Sequence, residues 1–227
     1  MPVNKEAYRR IADELKAKNV ALVAVSKTKP VEDIKALYDL GHRDFGENYV
    51  QELVDKEAQL PKDIRWHFIG HLQSNKVKYI APFISLVQGV DTLKLLTEIN
   101  KQAVKNNRII DCLLQVHIAQ EETKFGMDDK ELDEAIVRSS QLTHVRICGL
   151  MGMASFADDM NEVRDEFRYL KTLFDKHTQL QTSNLPTGQA GLKLQTLSMG
   201  MSNDYKIAIE EGGTMVRIGS LLFGERN

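Results

Sequence analysis

Eight apolar runs, each leading into a stretch with helical spacing, constrain the fold of this chain more than any other feature. They cover residues 20–25, 42–48, 64–70, 84–90, 109–118, 145–153, 193–199 and 215–222. The first spares no position for water, as a strand buried on both faces requires. Apolar stripes follow at helical spacing: Val31, Ile34, Leu37 and Tyr38 after the first run, Val50, Leu53, Val54 and Ala58 after the second, Leu95, Ile99 and Ala103 after the fourth, and Val163, Phe167, Leu170 and Phe174 after the sixth. Pro30 suits a first helical turn, Asp91 should cap the helix after the fourth strand, and Asp128 or Asp129 the helix after the fifth. Strands alternating with helices at a period near ~30 residues predict an α/β fold, a single closed (β/α)8 barrel of the TIM type rather than an open sheet. An extra N-terminal helix over 1–18, with the stripe Tyr8, Ile11, Ala12 and Leu15, should close one end of the barrel. The stretch 181–191 holds Pro186, Gly188 and Gly191 and reads as a surface loop, so 1–227 is expected to form one domain.

Charge and cysteine content narrow the function classes. Thirty basic against thirty-two acidic side chains leave a net charge of −2 with no basic block, so no nucleic-acid partner is expected. No run approaches the ~18 apolar residues of a membrane span, and the first residues lack the apolar centre of a signal peptide, which predicts a cytoplasmic protein. Cys112 and Cys148 lie inside predicted strands and read as buried free thiols. No Walker loop and no G-x-G-x-x-G occur. His67 and His71 are four apart, but across a strand end that spacing does not give zinc geometry. Met151, Met153, Met199 and Met201 read as packing at the barrel mouth, and 158–168 as the solvated face of a helix.

In a parallel barrel the functional face is formed by the carboxyl ends of the strands. Polar residues collect there: Ser26 and Lys27 after the first strand, Glu47 and Asn48 after the second, His67 and His71 at the third, His117 at the fifth, Ser198 at the seventh, and Arg217, Gly219 and Ser220 at the eighth. Lys27 stands where a buried strand ends, a place where a lysine tends to lose its proton and become a nucleophile, though local sequence equally allows a solvated strand-end lysine. The loops Ser198 to Asp204 and Arg217 to Ser220 pair glycine with serine, as a phosphate cradle would, or as ordinary turns would with a cap at Ser202 or Asn203. Arg217 inside an apolar run needs a partner: a ligand anion, a ring nitrogen or Glu47. A reactive lysine with a phosphate cradle fits pyridoxal phosphate or a phosphorylated sugar aldehyde, and the residues alone do not separate them.

Seven motifs in one order do. AVSKTKP at 24–30, FGENYVQE at 45–52, WHFIGHLQSNK at 66–76, ETKFG at 122–126, GLMGM at 149–153, LSMGMSNDY at 197–205 and VRIGSLLFGER at 216–226 resemble the pyridoxal-phosphate homeostasis proteins, the alanine racemase N-terminal-domain-like or YggS/PROSC family, from one end of the chain to the other. The resemblance implies that Lys27, not Lys29, forms the Schiff base with pyridoxal 5'-phosphate. It implies that Ser202, Gly219 and Ser220 hold the phosphate, that Arg217 faces the pyridine nitrogen and that Asn48 lines the pocket. Ser220 replaces a threonine common in relatives and keeps the hydroxyl, and ETKFG varies the commoner ETKSG. It further implies a carrier or buffer in vitamin B6 homeostasis, affecting amino-acid and keto-acid balance, without an established reaction. Transient partners would be PLP-dependent apo-enzymes. Because the sequence stops just past strand eight, no second β-domain and a monomer are expected. An arginine at the ring nitrogen would weaken the cofactor as an electron sink. The alternative is a small PLP enzyme, such as a racemase of low activity.

Overall fold

In the computed structural model, which describes residues 3–119, 125–157, 159–184 and 191–224, eight parallel strands close into one barrel in sequence order. The strands are β1 (Ala21–Val25), β2 (Asp44–Glu47), β3 (Arg65–Phe68), β4 (Leu86–Val90), β5 (Ile110–Gln115), β6 (Val145–Met151), β7 (Gly191–Ser198) and β8 (Met215–Ile218). Closure comes from β8 pairing with β1, with Ala24 opposite Ile218, and the predicted (β/α)8 architecture is the one observed. Leu22, Val23 and Ala24 of the opening strand are buried, as a strand between barrel interior and helix layer must be.

The larger apolar core lies between the strands and the outer helices. It includes Ile34 and Leu37 from α2 (Val31–Tyr38), Leu53 from α3 (Val50–Gln59), Ile80 from α4 (Val77–Ile80), Leu95, Leu96 and Ile99 from α5 (Leu93–Lys105), and Val163, Phe167 and Leu170 from α7 (Met160–Asn184). A smaller cluster of Leu86, Leu113 and Met151 fills part of the barrel interior. Both cysteines are free thiols, Cys112 buried and Cys148 partly so, and burial pushes the Cys148 thiol up to about 11. Among the described residues no helix is long and apolar enough to cross a membrane.

Several local expectations need correction. Helix α1 (Lys5–Ala17) does not close an end: Asn4 N–H donates to the Leu222 carbonyl beyond β8, and Val20 N–H bonds back to Leu15 just before β1. The helix therefore runs antiparallel along the wall, in the outer-ring place beside β1, while the segment after β8 forms only the single turn α9 (Ser220–Phe223). Strand eight thus ends at Ile218 rather than at 222. Strand five ends at Gln115, past which Val116 makes one isolated bridge to Met127. The expected loop 181–191 begins later, since α7 continues to Asn184 and β7 starts at Gly191; residues 185–190, and 122–124 of the ETKFG motif, lie outside the described residues. Thr92, not Asp91, caps α5, because Asp91 is engaged by His71.

Asp128 is the cap of α6 (Asp129–Ser139). Its carboxylate accepts from Glu131 N–H at 2.8 Å while Glu131 accepts from Asp128 N–H at 3.1 Å. Replacing Asp128 by alanine removes one side of this reciprocal pair and is expected to lower unfolding free energy by about 1 kcal/mol in urea titration, without changing the slope.

Candidate functional site

The carboxyl ends of the strands open into a cavity of about 430 Å³. Its wall contains every residue singled out in the sequence as a binding candidate: Lys27, Asn48, Ser202, Arg217, Gly219 and Ser220. These come from strand ends as far apart in sequence as β1 and β8, and barrel closure alone brings them together.

Lys27 projects from a tightly specified turn. Ser26 continues the ladder by donating its N–H to the Gly46 carbonyl, and its own carbonyl accepts from Lys29 N–H, both at 3.0 Å. Between the two lysines Thr28 has φ +64°, a left-handed conformation costing a branched residue of the order of 1–2 kcal/mol, and its N–H is anchored on Glu52 at 2.6 Å. Lys29 is directed elsewhere, its ammonium donating to the Phe223 carbonyl at 2.9 Å.

Beneath this turn lies a charged cluster that the sequence reading missed. Lys56 of α3 donates to Glu47 at 2.7 Å, to Glu52 at 2.6 Å and to the Ser26 carbonyl at 2.8 Å, and the Ser26 hydroxyl donates to the same Glu47 oxygen at 2.6 Å. Glu47 is fully buried; burial pushes its carboxyl up, against the pull of Lys56 and Ser26. Glu47 therefore does not serve Arg217. The only sequence signal for the cluster was a lysine one turn past Leu53, on the buried side of α3.

Beside Lys27, the loops after β7 and β8 are knitted together. Arg217 N–H donates to the Gly200 carbonyl at 3.0 Å and Gly219 N–H to the Ser202 hydroxyl at 3.3 Å. A Cβ on Gly219 would lie 3.3 Å from the Val25 carbonyl oxygen, so the glycine lets the β8 loop lie close over β1. The Arg217 guanidinium is buried and donates to the Ser198 hydroxyl at 2.6 Å and the Gly152 carbonyl at 2.9 Å, both neutral acceptors. Burial lowers it to about 10, which leaves it charged at neutral pH.

Asn48 is fixed by close packing, since a Cβ on Gly70 would sit 2.7 Å from its carbonyl oxygen. Its side-chain Oδ1 is buried and has no hydrogen-bond partner among the described residues. An orphaned polar atom in the wall, a cationic guanidinium and a hydroxyl-and-amide cradle facing a lysine fit a ligand that is anionic at one end and carbonyl-bearing at the other. Met153, Ser155 and Phe156 after β6 also line the cavity. Of the flanking candidates, His67 turns into the barrel and His71 outward to Asp91 at 2.7 Å, so the two do not converge on one ion.

Comparison with known proteins places these features in context. The family model described as alanine racemase, N-terminal domain, matches residues 4–227. A pyridoxal phosphate homeostasis protein of Aquifex aeolicus is 43% identical over 206 residues, covering 90% of this chain and 86% of its own. The structure of PipY from Synechococcus elongatus without PLP superimposes with a TM-score of 0.88 at 34% identity, covering 96% of this chain and 99% of that one. PipY with PLP bound superimposes with a TM-score of 0.83, at 34% identity and with 96% and 100% coverage.

Proposed function

We propose that this chain, which belongs to the pyridoxal phosphate homeostasis proteins within the alanine racemase N-terminal domain family, binds pyridoxal 5'-phosphate through Lys27 and acts as a carrier or buffer of that cofactor. The observation that carries the reading is that one cavity unites Lys27, the Ser202–Gly219–Ser220 cradle and Arg217. When bound, the cofactor supplies an aldehyde that condenses with an amine to a Schiff base, releasing one water. Lys27 offers the amine, Ser202 and Ser220 their hydroxyls and Gly219 its close-packed backbone to the phosphate, and Asn48 the unpartnered oxygen at its wall. Arg217 would face the pyridine nitrogen, where a fixed positive charge opposes protonation and restrains carbanion chemistry. Release to PLP-dependent apo-enzymes, by a monomer in the cytoplasm, completes the reading.

Purified protein loaded with pyridoxal phosphate is expected to be yellow, to fix the cofactor on borohydride reduction, and to yield one modified peptide carrying Lys27. A colourless protein or a modified peptide centred on another lysine overturns the binding assignment. Transfer of cofactor to an apo-enzyme supports the carrier role. Rapid α-carbon exchange of an amino acid in deuterated water, with turnover, overturns it.

A further inference from the structure

The interior of the barrel holds a column of polar side chains that packing alone does not explain. Leu86, Leu113 and Met151 show that apolar residues fill the same interior well, and a buried polar group is tolerated only when fully hydrogen-bonded. Yet Gln88 of β4, His67 of β3 and Ser198 of β7 are buried there and joined end to end. Arg217 Nη1 meets Ser198 Oγ at 2.6 Å; Ser198 Oγ meets Gln88 Oε1 at 2.7 Å; Gln88 Nε2 meets His67 Nδ1 at 3.0 Å; and His67 Nε2 meets Asp44 Oδ1 at 3.1 Å. The step from β7 to β4 crosses the barrel, since those strands are not neighbours.

The Gln88 amide, which turns Oε1 toward Ser198 and Nε2 toward His67, sets the direction of the bonds between the two ends. A guanidinium can only donate, so Ser198 accepts from Arg217 and spends its single proton on Gln88 Oε1. Asp44, held between His67 and an Arg65 guanidinium at 2.7 Å, accepts from His67 Nε2–H, and His67 Nδ1 is the acceptor that faces the Gln88 amide N–H. The remaining amide N–H of Gln88 rests on the Met215 sulfur at 3.3 Å. All the donors point one way, from a cation at the cavity wall to an anion at the opposite end of the barrel.

We propose that Gln88, His67 and Ser198 are positioning residues for Arg217, forming a one-way hydrogen-bond chain, terminated by Asp44, that holds the guanidinium in a single orientation toward the bound ligand. The proposal rests on the reading of Arg217 as the residue facing the cofactor ring and deepens it. With the chain intact, Ser198 cannot turn its proton toward Arg217, and the guanidinium stays pinned between Ser198 Oγ and the Gly152 carbonyl. Breaking the chain at Gln88 frees the Ser198 hydroxyl to rotate and removes the donor that fixes the His67 tautomer.

Nitrogen-15 spectra of the ligand-free protein test the direction directly. At neutral pH His67 is expected to show a protonated Nε2 and a bare Nδ1; protonation at Nδ1, alone or together with Nε2, overturns the proposal whatever the variants do. In protein loaded with pyridoxal phosphate, Gln88→Leu and Ser198→Ala are expected to shift the visible absorption band of the cofactor and to release it about tenfold faster, the equivalent of one charged hydrogen bond. Ser198→Thr, which keeps the hydroxyl, should restore both. If Gln88→Leu and Ser198→Ala retain wild-type spectra and release while Arg217→Gln alters them, the chain does not position Arg217 and the proposal fails with the cofactor reading intact. A wild-type spectrum in Arg217→Gln itself overturns the cofactor role of Arg217, and the proposal with it.

Discussion

Lys27→Ala protein is expected to lose all covalent retention of pyridoxal 5'-phosphate and to remain colourless after gel filtration, while unfolding at the wild-type denaturant concentration. The side chain lines an open cavity, so its removal leaves no hole in the core. The turn that presents it is held by backbone groups and by Glu52, none of which the substitution touches. On the proposed reading, phosphate contacts from the Ser202, Gly219 and Ser220 side of the cavity should persist, so weak binding is expected to survive, about a hundredfold or more looser, a loss of about 2.7 kcal/mol. Lys29 is the competing nucleophile, two residues away in the same wall. Its ammonium is turned to the Phe223 carbonyl, and Thr28 at φ +64° stands between the two residues. Lys29→Ala is accordingly expected to keep the borohydride-fixed cofactor. Covalent label recovered on Lys29 in the Lys27→Ala protein would defeat the assignment.

That contrast also shows what a sequence of this kind discloses. The barrel was legible because a doubly buried parallel strand must be apolar along its whole length and the helices between must carry a stripe, both of which are local patterns. The wall residues were legible in part for a related reason: in a barrel the topology sends every strand end to one face, so position placed Lys27, Asn48, Ser202 and Arg217 at that face, while the family resemblance singled them out from the other polar residues there. What stayed hidden was pairing. Arg217 announced by its setting that it had a partner, yet Ser198 and Gly152 are chosen by barrel diameter and strand stagger, which the sequence does not display. Asp91 had the composition of a cap, but its carboxylate is bound to His71 twenty residues earlier, leaving the cap to Thr92. Gln88 within Leu86–Val90 and His67 beside Trp66 and Phe68 were visible as polar residues in apolar runs. Each such residue is a request for a buried partner, and a systematic reading of those requests would have flagged the interior column, though not its order.

Lys56→Met is expected to be the most destabilising single change at the site, at about 3–5 kcal/mol, because it strands a buried carboxylate. The Lys56 side chain is only 6% exposed and Glu47 not at all, and Glu47 Oε2 already has no hydrogen-bond partner among the described residues. Removing the ammonium leaves the Ser26 hydroxyl as the donor to Glu47 and withdraws a donor from the Ser26 carbonyl and from Glu52. Because Glu52 holds Thr28 N–H, cofactor retention by Lys27 should fall as well. The pH dependence gives the cause away. Burial already raises the Glu47 carboxyl, and loss of Lys56 raises it further, so the folded variant keeps a proton that the unfolded chain gives up near the ordinary glutamate value. A raised folded-state value contributes stability below the unfolded one and loses it as pH climbs through the folded one. The deficit of Lys56→Met should therefore shrink between about pH 7.5 and 5. Adding Glu47→Gln removes the stranded charge and should recover more than half of the loss at pH 7.5, a non-additivity expected only of groups in direct contact. Urea unfolding of the single and double variants at both pH values decides the matter. A deficit independent of pH and unrelieved by Glu47→Gln would assign the effect to lost packing of the lysine stem, and the cluster beneath Lys27 would lose its electrostatic role.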